Sequence, residues 1–377
     1  MIPDSVDLTA ALIRCRSVTP ADGGAVALLA DLLSAADFVC TRCDRNGIAN
    51  LHARWGTAGP VIGFNGHTDV VPVGDPAAWT HDPFGGVIAD GRLHGRGAQD
   101  MKSGVAAFVC AAIAAAQDAP RGSIVLTITG DEEGDGMDGT RAILDWMAAN
   151  GQTMDACIVG EPTCPTMMGE MVKIGRRGSM TGHVTCNGRQ GHAAYPHLAV
   201  NPVHALSALV GRLTGDPLDE GTEAFDPSTV QVTGFETGNA ASNVIPATAR
   251  AMVNVRFNDA HRADDVRHWA EGHADWVAAE TGARFDWRWQ ISGEAFVTPP
   301  GPLSDLVVSA VEAETGRRPV LSTSGGTSDA RFVKDICPVI EVGLVGDAMH
   351  QTDESVPVDQ IVQLTAIYRR IVTDFLA

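Results

Sequence analysis

Apolar residues fall along this chain in two patterns. One is the short unbroken run bounded by Gly or Pro, at residues 61–64, 123–129, 155–159 and 338–342. Such runs predict buried strands of an α/β sheet. The other is helical spacing, at 6–14, 25–36, 101–117, 140–149, 303–315 and 358–376. The 101–117 segment is Ala-rich, as expected for a helix packed closely on a sheet. Further strands are predicted at 38–41, 50–55 and 319–322, and a long irregular stretch at 73–97. Between residues 177 and 291 the character changes: strands at 179–186, 229–233, 248–257 and 285–291 accompany helices at 199–213 and 261–279. The pattern predicts an α+β domain (177–291) inserted into a discontinuous α/β domain (1–176 and 292–377).

Composition narrows the range of functions. The chain has 377 residues, 45% hydrophobic and 19% charged, with a formal net charge of -19. That length calls for more than one core. The acidic balance argues against nucleic-acid and anionic-membrane surfaces, which need basic patches. No apolar run reaches the roughly 18 residues of a membrane span. Residues 1–15 lack a basic start and an apolar signal region and read as an amphipathic helix. Eight irregularly spaced cysteines suit a reducing cytoplasm. Cys40-Thr41-Arg42-Cys43 has no second pair to complete a zinc ribbon and no redox context.

The candidate chemistry gathers at strand ends. His67 and Asp69 follow the 61–64 run, and side chains two apart on extended backbone point the same way. Open α/β sheets place ligands at such ends. Glu132 and Glu133 follow the 123–129 run, Glu161 follows 155–159, and His350 follows 338–342. Asp100 stands at the predicted N-cap of the 101–117 helix, where a plain capping role is the simpler expectation. Two His with several carboxylates suit zinc, and also cobalt or manganese. They are too many for one catalytic zinc and enough for two metals with a bridging carboxylate.

In this order the motifs are specific. Gly66-His67-Thr68-Asp69-Val70-Val71-Pro72, Gly95-Arg96-Gly97-Ala98-Gln99-Asp100-Met101-Lys102, Asp131-Glu132-Glu133, Gly160-Glu161-Pro162-Thr163 and His350 span nearly the full chain. The chain resembles the co-catalytic zinc deacylases and exopeptidases of the acetylornithine deacetylase and succinyl-diaminopimelate desuccinylase group. Lys173 to Ser179, Gly191 to Pro202 and Ser322 to Phe332 are most similar to the desuccinylase branch. Ala330 stands where that branch usually has Gly, and Gln351 and Asp353 where Lys and Asn are more frequent.

The resemblance implies a zinc-exopeptidase-like catalytic domain with a mixed sheet and an inserted ferredoxin-like dimerisation and lid domain. It implies two zinc ions, with cobalt or manganese as substitutes. Asp100 bridges them, His67 and Glu161 complete one position, and Glu133 and His350 complete the other. Asp69 orients His67, and Glu132 is the general base. Neighbouring residues at a strand end point in different directions, so one of Glu132 and Glu133 can ligate while the other faces water. Which does which comes from the resemblance. It further implies a cytoplasmic homodimer in which His192 acts across the interface on the oxyanion. Arg176, Ser179, Tyr195, Asn243, Arg256, Gly326 and Thr327 would bind the small N-succinyl amino-acid substrate. The implied reaction is hydrolysis of N-succinyl-L,L-2,6-diaminopimelate. One rival is a related deacylase or dipeptidase with another acyl group, which substrate preference distinguishes. Another is a catalytically silent homologue, which predicts a missing ligand or base, and none is missing. The Gly325-Gly326-Thr327-Ser328 turn lacks the Lys of a phosphate-binding loop.

Overall fold

The computed structural model describes residues 2–118 and 120–377. Met1, the first residue of the segment read as an amphipathic helix, lies outside the described residues. Within that segment the helix runs Ser5–Arg14, with the Asp4 carboxylate accepting from the Val6 and Asp7 amides. The chain divides into two compact units. The first comprises the residues up to Ile174 together with Thr298–Ser322 and Ser328–Ala377, and the second comprises Gly175–Val297 with Thr323–Thr327. These borders differ by a few residues from the 176/177 and 291/292 expected, and residues 323–327 go to the second unit rather than the first.

The first unit is built on an eight-stranded mixed sheet. Its order is Val39–Arg42, Leu51–Trp55, Ser123–Thr129, Val61–His67, Ala156–Val159, Val339–Glu341, Met171–Lys173 and Val320–Ser322. The four strands read from unbroken apolar runs are mutually parallel neighbours at its centre. Both faces of such strands are covered, which is why their sequences do not alternate. Because they are parallel, the segments that follow them emerge along one edge. That edge receives His67, Glu132, Glu133 and Glu161.

The helix Lys102–Gln117 is buried along almost its whole length, through Ala116, and packs with Ser5–Arg14 and Val358–Phe375. Phe108 on it stacks on Phe64 (ring centroids 3.7 Å apart), and Tyr368 meets Phe64 edge-on at 5.6 Å. Its alanines allow this close approach. Gly104 is the tightest point, where a β-carbon would overlap the Gly160 carbonyl oxygen. Gly104→Ala is therefore expected to cost about 1–3 kcal/mol by overpacking, measured by urea unfolding. Because Gly160 precedes Glu161, metal affinity should fall with it.

Two features depart from expectation. Asp100 is not the helix cap: Met101 holds that position, with no side-chain cap, and the Asp100 carboxylate turns elsewhere. The stretch 73–97 is not irregular throughout. It carries the hairpin Val87–Ala89 and Arg92–His94, joined by Asp90 (φ 49°) and Gly91 (φ 75°) and extended by Ser355–Pro357. Asp-Gly is the pair that such a two-residue turn demands, because both positions need positive φ. The short strand Met171–Lys173 also went unread.

The second unit holds a four-stranded antiparallel sheet in the order Thr229–Glu236, Thr248–Phe257, Gly178–Asn187, Arg284–Gly293. With the helices Pro202–Gly215 and Ala263–Thr281 the chain order is β-α-β-β-α-β, the split βαβ arrangement of ferredoxin-like domains. Its core includes Met180, Val184, Leu206, Leu209, Val255 and Val266. Among the described residues, no helix is long and apolar enough to cross a membrane.

Candidate metal centre

His67 is the last residue of its strand and is 1% exposed. Its Nδ1 lies 2.9 Å from the Asp69 backbone carbonyl, which fixes the ring and leaves Nε2 facing inward. The Asp69 carboxylate is farther from that nitrogen, at 3.6 Å. It accepts instead from the backbone amides of Glu132 (3.2 Å) and Glu133 (3.0 Å). Asp69 thus orients His67 through its main chain, and its side chain pins the turn carrying the two glutamates.

Asp100 stands between the two histidines. His67 Nε2 lies 3.1 Å from its Oδ1, and His350 Nε2 lies 3.3 Å from its Oδ2. One carboxylate therefore offers one oxygen to each side. Glu161 Oε1 approaches His67 Nε2 at 3.6 Å, and Glu133 Oε1 approaches His350 Nε2 at 2.9 Å. Donor atoms of His67, Asp100 and Glu133 lie within 4.8 Å of one another, as do those of His67, Glu132 and Glu161. By proximity alone Glu132 is as much a neighbour of His67 and Glu161 as a ligand would be.

Burial and mutual charge shift the protonation of this cluster. Burial pushes the Glu161 carboxyl well above its usual range, helped by the charge of Asp100. Burial also raises Glu132, with Asp329 and Glu133 adding to the effect against His67 and Arg331. Asp69 rises to about 6, chiefly from burial. Burial works against the His67 imidazolium, but the Asp100 hydrogen bond and the charges of Glu161 and Asp69 outweigh it, and the net movement is upward. Hydrogen bonds to Asp100 and then Glu133 lift His350 to about 10. Only Asp100 moves down: burial opposes this, and its bonds to both histidines prevail. Asp69, Glu132 and Glu161 hold protons tightly chiefly because they are buried, and the two imidazoles because carboxylates crowd them. Divalent cations on the same nitrogens and oxygens take the place of those protons, so the donor set fits a metal pair.

The remaining expected site residues lie in the second unit, in two groups. The pairing of Gly191–His192 with Val244–Ile245 brings His192 beside Asn243, whose carbonyl accepts the Ala193 amide at 2.9 Å. Tyr195 stacks obliquely near His192, with ring centroids 5.7 Å apart. The His192 Nδ1 accepts the Ala194 amide at 3.0 Å. A nitrogen accepting an N–H carries no proton, which leaves Nε2 as the donor nitrogen of the ring. In the other group Ser179 pairs with Arg256 across the sheet, and Arg176 Nη1 donates to the Gly326 carbonyl at 3.1 Å, beside Thr327. Arg256 Nε donates to Asn254 Oδ1 at 3.1 Å, and Arg256 makes no ion pair among the described residues.

Residues 63–374 match the peptidase family M20/M25/M40. The chain belongs to that family. It is 63% identical over 377 residues to the succinyl-diaminopimelate desuccinylase of Cereibacter sphaeroides (strain ATCC 17029 / ATH 2.4.9), covering 99% of each chain. Among solved structures it is similar to an M20 family metallo-carboxypeptidase, Sso-CP2, from Sulfolobus solfataricus. The TM-score is 0.82, with 17% identity and 99% of each chain covered. It is also similar to the Bacillus subtilis YXEP protein, a dinuclear metal-binding peptidase of the M20 family. Here the TM-score is 0.76, with 16% identity and coverage of 99% of this chain and 97% of that one. Within this family the chain is a metal-binding hydrolase with the expected mixed α/β fold.

The less usual residues have local partners. The Asp353 carboxylate accepts from the Thr80 amide (2.7 Å) and hydroxyl (2.8 Å), a double acceptance that a single amide oxygen would have to share. Gln351 Nε2 donates to the Asp347 carbonyl at 3.0 Å. Ala330 is fully buried. Cys164 is 3% exposed, with its thiol near the Met171 and Gly343 carbonyls, which shelters it from oxidants. Cys40 and Cys43 are free thiols, and burial lifts Cys43 to about 11, which leaves it unreactive. Sequence reasoning missed Glu354, a buried carboxylate that binds the loop carrying Asp100.

Proposed function

We propose that this chain hydrolyses the amide bond of N-succinyl-L,L-2,6-diaminopimelate, releasing succinate and L,L-2,6-diaminopimelate, a step of lysine and diaminopimelate biosynthesis. The observation that carries this reading is the 63% identity to the Cereibacter sphaeroides desuccinylase over 99% of both chains. The gathering of His67, Asp100, Glu133, Glu161 and His350 supports it. Two zinc ions are the fitting cations, with cobalt or manganese as substitutes, because mixed imidazole and carboxylate donors suit them. His67 and Glu161 would hold one, Glu133 and His350 the other, and Asp100 both. When bound, such a pair polarises the amide carbonyl and lowers the pKa of water to about 7.

The chain's own residues do the rest. Glu132 takes the proton of the attacking water and returns it to the departing amine nitrogen. The Asp69 carboxylate holds the Glu132–Glu133 turn through the two amides, so the base and a ligand are set together. His192 presents Nε2–H as donor to the developing oxyanion, supplied by the second copy in a homodimer. The guanidinium groups of Arg176 and Arg256 receive the substrate's carboxylates, for which Arg is the favoured partner. Ser179, Tyr195, Asn243, Gly326 and Thr327 complete its binding. The inserted unit serves as dimerisation and lid domain, and the enzyme works in the cytoplasm.

Metal removal tests this reading. Exhaustive chelation is expected to abolish succinate release from the substrate, and two equivalents of zinc to restore it. Undiminished hydrolysis by metal-free protein, or none by reloaded protein, contradicts it.

A further inference from the structure

Glu354 is a charged side chain with no solvent exposure. Its Oε1 accepts the backbone amides of Gln99 (2.8 Å) and Asp100 (3.3 Å), and its Oε2 accepts that of Gly97 (3.0 Å). The carboxylate therefore sits inside the loop that presents Asp100. Oε2 also receives Arg96 Nη1 at 2.7 Å, in an ion pair whose side chains are 3% and 0% exposed.

The guanidinium of Arg96 spreads this connection to two further loops. Nη1 donates to the Gln351 carbonyl (3.2 Å), and Nη2 donates to the carbonyls of His350 (3.4 Å) and Pro72 (3.4 Å). Trp79 covers the guanidinium, with its ring centroid 5.1 Å from Cζ. One ion pair thus joins the loop of Asp100, the loop of His350 and the segment that leaves His67 and Asp69. Burying two charges is a poor way to gain stability, since apolar residues of the same volume usually do as well. The arrangement suits precise placement better.

The His350 loop needs such placement. His350 (φ 62°) and Asp353 (φ 60°) both lie in the left-handed region, which residues with a β-carbon disfavour. The loop is held from outside: by Arg96 on two carbonyls, and by Thr80 on the Asp353 carboxylate. The other side of the cluster is different. His67 ends a strand paired on both sides, and Glu161 follows the strand Ala156–Val159 within two residues. The sheet itself places those two ligands.

We propose that Arg96 and Glu354 are positioning residues that keep Asp100 and His350 in register, so that the metal position containing His350, whose loop they also hold, depends on them more than the one containing His67, which they touch only through Asp100. This rests on the metal-pair reading above. Glu354→Gln is the direct probe. It is nearly isosteric, but it turns one acceptor oxygen into an amide donor facing backbone N–H groups, and it leaves Arg96 without its counter-charge. Arg96→Lys is the second probe. It keeps the charge and loses the fork that reaches three carbonyls.

The test is a cobalt(II) titration of the full-length metal-free protein, followed by visible absorption and calorimetry. Unaltered protein is expected to take two equivalents. In each variant one equivalent should weaken roughly 10–100-fold while the other, which shares only Asp100 with the held loops, weakens distinctly less. Adding Glu354→Gln to His350→Ala should then cost the remaining equivalent less than Glu354→Gln alone costs the weakened one. Two unchanged equivalents, or two weakened alike, overturn the proposal. Thermal unfolding of the metal-free variants separates the latter from general loss of structure, and if one variant does not fold the other carries the test. Fewer than two equivalents in unaltered protein instead overturns the metal-pair reading.

Discussion

Glu132→Gln is expected to keep both metal equivalents and to lose turnover by roughly 100- to 10,000-fold, the range of general base catalysis. The upper part of that range applies because the same carboxylate serves both proton transfers. Gln preserves the size of the side chain and the backbone bond from residue 132 to Asp69 Oδ1 (3.2 Å), so the turn should stay in place. It cannot take a proton from water. Calorimetric metal counting beside steady-state kinetics separates the roles. Glu132 lies close enough to His67 and Glu161 to reach a cation with them. Loss of one equivalent in Glu132→Gln would make it a ligand, and near-normal kcat would remove it from the mechanism.

The second large effect belongs to Asp100. Its two oxygens face different histidines, at 3.1 and 3.3 Å, and an Asn has only one oxygen to offer. Asn would turn an amide N–H₂ toward His67 or His350 and leave the remaining carboxylates without a shared centre. Asp100→Asn is expected to reduce tight binding from two cations to one. It should also lower kcat/KM by at least on the order of 1,000-fold, the scale of losing a preorganised electrostatic group. The neighbours of Asp100 are held independently, by the sheet on one side and by Arg96 on the other, so the fold should survive. Normal stoichiometry in this variant would mean that the two oxygens do not share the metals.

The central strands were legible because burial on both faces demands unbroken apolar runs, as in Ser123–Thr129. The strand Thr248–Phe257 was legible because its residues alternate, buried against exposed or half-buried. The edge at which His67, Glu132, Glu133 and Glu161 meet followed from strand direction alone. From its local context alone Asp100 reads as a cap, since an Asp before a helix usually is one, and only the resemblance pointed to a metal ligand. Nothing local reveals that its partners are 33 residues before it and 250 after it. The Asp90-Gly91 hairpin was available as a turn pair and was passed over inside a stretch that looked irregular. Glu354 could not be found from pattern: its partners are backbone amides more than 250 residues away, and amides leave no trace in a sequence. Arg96 lay within a recognised motif, but its role depends on carbonyls and is equally silent.

The most direct measurement is kcat/KM of the protein supplied with two equivalents of zinc, for N-succinyl-L,L-2,6-diaminopimelate against N-acetylornithine. Matching a site's buried donors to a substrate's polar groups gives discrimination of about 10,000-fold, so the succinyl substrate should be preferred by a ratio of that order. Equal turnover of both, or preference for the acetyl substrate, would leave the metal chemistry in place and contradict the assignment of the reaction.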